Sequence, residues 1–162
     1  MVVWSGKNTA LFVRGPAPIK VNPNGVDVGV SEVWLIRSDA VSILNGKTRI
    51  TIPEKEKVLA DAEGFYNLHQ GTYEVRIANE VAIPNNAVGK LYPRSSLNRL
   101  GAIKSDTALW DSGYTGFGTQ TLHIPVKLFR IHKDELWFQM TLEDCEPSEE
   151  QYSGHWQNEK PK

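Results

Sequence analysis

The fold is decided by the stretch Thr119-Gln-Thr-Leu-His-Ile124, Val126-Lys-Leu-Phe-Arg-Ile131 and Glu135-Leu-Trp-Phe-Gln-Met-Thr-Leu142. β-Branched and aromatic side chains recur in all three segments, and such side chains favour a pleated, half-buried surface. We therefore predict three strands, with His132-Lys-Asp134 as the tight connection between the last two. Short strands separated by turn signals are typical of a sandwich or barrel.

The N-terminal half adds further strands to this picture. Val26 to Arg37, which includes Asp27, predicts one strand. Val41 to Ile52 predicts a hairpin, because Asn45-Gly46 near its centre accepts the positive φ angles of a type I′ turn. Other extended segments are Phe65-Tyr66, Tyr73–Ile77 and Val81–Ile83. The expected fold class is all-β.

The remaining segments lack this strand pattern. Glycine and proline interrupt residues 1–24, which predicts an irregular entry to the domain. Only Ser95 to Leu100 looks helical, so we expect one very short helix. Residues 146–162 are polar and without periodicity, which predicts a mobile tail after a single domain of residues 1–145.

Composition narrows the class of protein. Lys and Arg total 18 against 19 Asp and Glu, so we expect no partner among nucleic acids or anionic membranes. The single cysteine, Cys145, predicts no intramolecular disulfide, and the N-terminal residues lack a secretion signal, so the expected location is cytoplasmic. No apolar run approaches the roughly 20 residues of a membrane-spanning helix.

A candidate phosphate site lies in Lys90-Leu-Tyr-Pro-Arg-Ser-Ser-Leu-Asn-Arg-Leu-Gly101. We predict a one-turn helix with Ser95 as its N-cap and Gly101 at its C-terminal end in the left-handed region. Free N–H groups at the start of such a turn bind phosphate oxygens, and Arg94 and Arg99 supply charge. Solvated arginines on an ordinary capped turn explain the same residues equally well.

A candidate acid or base follows in Asp111-Ser-Gly-Tyr-Thr-Gly-Phe-Gly118, whose glycines allow a sharp turn close to a ligand. Asp111 could act as a general base. The residues alone favour an aspartate that hydrogen-bonds its own turn, and they favour Tyr114 as a core residue.

Five ordered blocks of the sequence resemble one known family. They are Asn22–Val28, Ala82–Gly101, Asp111–Gly116, Leu136–Gln139 and Tyr152–Gln157. The chain resembles the deoxyuridine triphosphatases (dUTPases) and the deoxycytidine triphosphate (dCTP) deaminases, especially the archaeal branch that joins the two. This resemblance implies a distorted jelly-roll barrel, a homotrimer with nucleotide sites at subunit boundaries, and Mg²⁺ held mainly by the triphosphate with no direct protein ligand. It also implies that the tail closes over the nucleotide.

The resemblance also implies roles for individual residues. The phosphates would be bound by Arg94, Ser95, Ser96 and Arg99. Asp111 would be the general base, and Tyr114 would pack against the deoxyribose and exclude a 2′-hydroxyl. The base would be recognised by backbone within Ala102 to Trp110. The other expected substrate-binding residues are Trp110, Gln139, Tyr152, His155 and Gln157, and the expected structural supports of the site are Asp27, Gly101 and Gly116.

Position 121 separates the two activities of the family. A deaminase of this family needs a glutamate five residues after Gly116, where this chain has Thr121, and threonine has no carboxylate to move protons. Other departures are Gly113, where the family has an acidic or polar residue, and His155, where lysine is usual. A phosphate contact from histidine is weaker and depends on pH.

The expected function is hydrolysis of dUTP to dUMP and pyrophosphate, with water activated by Asp111 attacking the α-phosphorus. Two alternatives stay open. One is deamination of dCTP, alone or coupled to triphosphate hydrolysis. The other is a catalytically silent nucleotide-binding or regulatory protein of the same fold.

Overall fold

The computed structural model describes residues 2–45, 49–107, 109–147 and 149–161. Within them the chain forms two short helices and fourteen strands. In chain order they are α1 (Gly6–Ala10), β1 (Val13–Arg14), β2 (Ile19–Asn22), β3 (Gly25–Val28), β4 (Val30–Ile36), β5 (Ile43–Asn45), β6 (Arg49–Thr51), β7 (Lys55–Val58), β8 (Phe65–Ile77), β9 (Glu80–Ala82), β10 (Ala87–Pro93), α2 (Ser95–Arg99), β11 (Ile103–Lys104), β12 (Thr115–Gly116), β13 (Thr119–His132) and β14 (Phe138–Asp144). The expected all-β class is confirmed. No described helix has the length and apolar composition needed to cross a membrane.

Two antiparallel sheets carry most of the fold. The larger has the order β11-β13-β8-β4-β7 and the second the order β10-β14-β3-β2. Strands β1, β9 and β12 form a small third sheet, and β5 pairs with β6 alone. Side chains from both large sheets, among them Val75 and Leu122 from one and Val26 and Met140 from the other, are fully buried in one apolar cluster. The core therefore lies between the two large sheets, where apolar burial supplies the main driving force for folding.

Strand β13 shows how the sequence pattern produces this arrangement. Gln120, Leu122 and Ile124 alternate as buried residues, as expected for a strand with one face on the core. The two strands predicted between Thr119 and Ile131 are one strand, because a register shift between Ile124 and Leu128 accommodates Pro125, which has no N–H to donate. The next strand begins at Phe138 rather than at Glu135.

Other predicted elements are also corrected. The strand predicted from Val26 to Arg37 is two strands, since the chain leaves the second sheet at Gly29 and enters the larger one. The expectation of one very short helix was wrong, because residues 6–10 form a second helix, capped by the Ser5 hydroxyl, within the segment predicted to be irregular. The hairpin after Val41 is confirmed, but Asn45 is a strand residue paired with Arg49. Gly46 of the predicted turn lies outside the described residues.

Candidate active site

A cleft of about 290 Å³ lies beside the glycine-rich turn. Its lining residues are Thr107, Leu109, Trp110, Asp111, Tyr114, Gly118, Thr119, Tyr152, Trp156 and Glu159. The Asp111 carbonyl accepts the Tyr114 amide at 3.0 Å, which closes the turn, and the Asp111 side chain is exposed. Its carboxylate accepts no hydrogen bond from any described residue. The turn is thus held by the Asp111 backbone, and the carboxylate is left facing the cleft.

Aromatic rings form one wall of this cleft. Tyr114 is buried, lies parallel to Trp110 at a centroid distance of 6.0 Å, and meets Tyr152 edge-on at 5.6 Å. Burial raises the pKa of the Tyr114 hydroxyl, so the ring stays neutral. Gly118 makes room for the indole, because a Cβ there would lie 2.5 Å from Cζ2 of Trp110. The wall is therefore rigid and apolar, as suits a sugar or base face.

The C-terminal segment lies against the same turn, within the same chain. The Tyr152 amide donates to the Ser112 carbonyl at 3.0 Å. The Gln157 side chain accepts from the Thr115 amide and donates to the Gly113 carbonyl, both at 2.9 Å. His155 is exposed and stacks edge-on with Trp156 at 4.7 Å. That residues 146–162 move to close over a ligand stays a prediction.

The predicted phosphate block is built around α2. The helix begins at Ser95, but its N-cap is Arg94, with φ −61° and ψ 149°, and no side chain caps it. The predicted Ser95 cap was wrong because Ser95 is already the first helical residue, and the cap is the extended Arg94, whose amide donates to the Trp137 carbonyl at 3.0 Å. Gly101 has φ +94°, as predicted for the C-terminal end. Ser95, Ser96 and Arg99 are all exposed.

Arg94 is oriented by a buried carboxylate. Its Nε lies 3.0 Å from Oδ2 of Asp27, which is 3% exposed, and its Nη1 donates to the Leu136 carbonyl at 2.7 Å. Asp27 also accepts from Asn22 at 2.7 Å. Gln139 pairs with Asp27 across the sheet and donates to the Asn24 carbonyl at 2.7 Å. Asp27 therefore holds the Arg94 side chain in place, and its role as a structural support of a nucleotide site stays a prediction.

The structure does not bring the predicted residues into one site within a single chain. Trp110, Asp111, Tyr114 and Tyr152 share the cleft described above. None of Arg94, Ser95, Ser96, Arg99 and Gln139 lines it. Ser96 instead lines a separate cleft of about 350 Å³ beside Phe129 and His132. The predicted acid or base and the predicted phosphate block therefore lie apart in one chain, as two candidate half-sites.

Asp27→Ala tests the support of Arg94. We expect the free energy of unfolding to fall by about 2 kcal/mol, because the change leaves a partly buried guanidinium without its closest carboxylate partner. Denaturant unfolding at one fixed protein concentration measures this. Asp39→Ala is the matched control, since it removes an ion pair of 2.7 Å to Arg37 that is exposed on both sides. Equal losses in the two variants would contradict the supporting role of Asp27.

Sequence reasoning missed several residues of the cleft. Trp156 and Glu159 come from the tail, and Gly118 admits the Trp110 ring. Arg76 of β8 lies beneath them and pairs with Glu159. No sequence motif marks Arg76, because only the pairing of β8 with β13 brings it under the tail. Within the described ranges, no three His, Cys, Asp or Glu side chains are arranged to hold a metal ion.

The chain is similar to known proteins over most of its length. Residues 8–145 match the family model described as dCTP deaminase-like. A probable deoxyuridine 5′-triphosphate nucleotidohydrolase of Methanococcoides burtonii is 33% identical over 143 residues, covering 86% of this chain and 82% of that protein. A protein of the same description from Aeropyrum pernix is 35% identical over 120 residues, covering 73% of this chain and 72% of that protein.

A solved structure has a similar fold. The crystal structure of 2′-deoxycytidine 5′-triphosphate deaminase from Agrobacterium tumefaciens superposes with a TM-score of 0.65 at 16% identity. The match covers 88% of this chain and 48% of that chain, so this chain spans about half the length of that deaminase. At this identity the similarity concerns the fold alone.

Proposed function

Because the chain belongs to the dCTP deaminase-like family, we propose that it is a dUTPase, which hydrolyses dUTP to dUMP and pyrophosphate. The relatives from Methanococcoides burtonii and Aeropyrum pernix, both named as probable deoxyuridine triphosphate nucleotidohydrolases, support this activity over the others in the family. The observation that carries the proposal is the exposed Asp111 carboxylate, held by its backbone beside the aromatic wall of the cleft.

In the proposed mechanism Asp111 takes a proton from a water as that water attacks the α-phosphorus. The bond from that phosphorus to the bridging oxygen breaks, and pyrophosphate leaves. Arg94, Arg99, Ser95 and Ser96 bind the phosphates and orient them for in-line attack. Mg²⁺ on the triphosphate would neutralise charge on the departing pyrophosphate. The ion would be held mainly by the phosphates of the substrate, with no direct protein ligand.

The proposed assembly is a homotrimer of distorted jelly-roll barrels, located in the cytoplasm, with its nucleotide sites at subunit boundaries. The separation of the two half-sites supports this arrangement, since the Asp111 cleft of one chain holds no phosphate-binding arginine. A neighbouring copy would present its α2 to that cleft. Residues 102–110 and Trp110 would contact the base, and residues 146–162 would close over the nucleotide.

The environment of Thr121 favours hydrolysis over deamination. Thr121 is half-buried on β13 and pairs across the sheet with Glu74. Glu74 is bound by Lys55, so the nearest cross-strand carboxylate is already paired with a cation. Thr121 itself has no group for proton transfer, and the described carboxylate opposite it is held in an ion pair, whereas a deaminase needs a group that moves protons.

Product analysis with dUTP, dCTP, UTP and dTTP in Mg²⁺ tests the proposed function. We expect pyrophosphate from dUTP, no ammonia from dCTP, and UTP turnover at least about tenfold slower, because the Tyr114 ring would pack against the deoxyribose and exclude a 2′-hydroxyl. Ammonia release from dCTP would establish the deaminase instead. Binding of dUTP without any pyrophosphate would indicate a silent binding protein. Equal turnover of UTP and dUTP would contradict the role of Tyr114.

A further inference from the structure

A buried ion pair joins the C-terminal segment to the barrel. Arg76 of β8 is 3% exposed, and its Nη1 lies 2.9 Å from Oε1 of Glu159. Its Nε lies 3.0 Å from Oε2 of Glu32, and Nη1 also approaches the Phe117 carbonyl at 3.4 Å. Charged groups are rarely buried unless they are paired, and this one is paired with a residue from the last turn of the chain. Arg76 has no part in the mechanism proposed above.

The backbone around Glu159 runs beside the glycine-rich turn. The Asn158 amide donates to the Thr115 carbonyl at 2.8 Å, and the Phe117 amide donates to the Glu159 carbonyl at 2.9 Å. Glu159 thereby forms a parallel bridge with Gly116. A Cβ at Gly116 would lie 3.0 Å from the Glu159 nitrogen and 2.8 Å from the Tyr114 hydroxyl. Gly116 is therefore the residue that lets the tail approach the turn this closely.

We propose that Arg76 and Glu159, here called the tail anchor, are positioning residues for the active site. They hold the C-terminal segment on the turn that carries Asp111 and Tyr114, within one subunit and before any nucleotide binds. The anchor itself rests on the structure alone, and only its kinetic consequence rests on the proposed dUTPase activity. Neither residue lies in the blocks that carry the family resemblance.

The charges at the anchor decide which substitution breaks it. Arg76 already has Glu32 as a close carboxylate partner, and Lys57 lies 3.2 Å from the other oxygen of Glu32. Burial raises the pKa of the Glu159 carboxyl, while Arg76 opposes that change. Burial therefore costs the ionised carboxylate more than Arg76 returns, so a neutral side chain that keeps the hydrogen bond should be tolerated here. Glutamine keeps a side-chain oxygen for that bond, whereas alanine leaves an Arg76 N–H without it.

Release of the anchor would open the cleft from one side. Tyr152, Trp156 and Glu159 all line the cleft, so they leave together if the segment detaches. Asp111 lies on the barrel side of the turn and keeps its backbone hydrogen bond to Tyr114. We therefore expect detachment to weaken substrate binding more than it slows the chemical step, which is a change in KM rather than in kcat.

Chymotrypsin digestion of the ligand-free protein tests the anchor without using activity. The protease cleaves after aromatic residues, and Tyr152 and Trp156 lie in the attached segment. Mass spectrometry follows the loss of residues 153–162 or 157–162. Cleavage depends on how often the segment detaches.

We expect Glu159→Ala to be cut about tenfold or more faster than wild type, as loss of a charge-assisted hydrogen bond implies. Glu159→Gln should stay within about threefold of wild type because it keeps the bond.

Glu150→Gln is the matched control, because Glu150 is an exposed carboxylate on the same tail. Its cleavage rate and kinetics should equal those of wild type. In dUTP turnover, Glu159→Ala should raise KM about tenfold and change kcat less than about threefold, with recovery in Glu159→Gln. Equal rates of chymotrypsin cleavage in Glu159→Ala and wild type would contradict the proposed tail anchor. Lack of dUTP turnover by the wild type would instead overturn the proposed function, whatever the digestion shows.

Discussion

Asp111→Asn is expected to lower pyrophosphate release from dUTP by about 10³-fold, while the Kd for dUTP changes by less than about threefold. Asparagine has nearly the shape of aspartate but cannot accept the proton of the attacking water. The turn should survive the change, because the Asp111 carbonyl rather than its carboxylate accepts the Tyr114 amide. Initial rates of pyrophosphate release measure the first quantity, and calorimetry with dUTP measures the second.

Two outcomes would contradict the proposed role of Asp111 as the general base. Undiminished pyrophosphate release would show that another group activates the water. Loss of dUTP binding in parallel with activity would show that the carboxylate supports the cleft rather than the chemistry. Asp39→Asn is a suitable control, because Asp39 is an exposed aspartate paired with Arg37 outside the cleft. Its activity should equal that of wild type.

Mixed oligomers of Asp111→Asn and Arg99→Gln are expected to recover about a quarter of wild-type activity, although each variant alone has little. Arg99→Gln should lower kcat/KM at least about tenfold by removing a charge-assisted hydrogen bond to phosphate. Arg99 is exposed, so its replacement should leave the barrel intact. If Asp111 of one subunit faces Arg99 of the next, random mixing of equal amounts gives both intact residues at about one boundary in four.

The measurement compares the two variants unfolded and refolded together with the same variants refolded apart and then combined. Recovery only after joint refolding would place the two half-sites on different subunits. Joint refolding that gives no more than the sum of the separate activities would mean that each site is completed within one chain. The second outcome would require the chain to rearrange so that its own phosphate block reaches Asp111, because no phosphate-block residue lines the Asp111 cleft of the described chain.

Much of the site could be predicted because its residues are close in sequence. The turn from Asp111 to Gly118 needs glycine for its geometry, and the left-handed Gly101 after a one-turn helix is a local requirement of the backbone. The Ser95 cap failed for a nonlocal reason. Ser95 is already helical, so the helix starts one residue earlier than predicted, and its N-cap is Arg94, which is held extended by pairing with Trp137, more than forty residues away.

The sequence by itself determined the all-β class, the strand-rich segments and the residues that carry the proposed chemistry, because these follow from side-chain alternation and backbone preferences over a few residues. Only the tertiary structure decided where the chain changes sheets at Gly29, how β13 passes Pro125, and that Asp111 lies apart from the predicted phosphate block. The ion pair between Glu159 and Arg76 is likewise visible only in the tertiary structure. Such contacts depend on strand register and on the packing of distant segments, and local residue patterns carry no information about either.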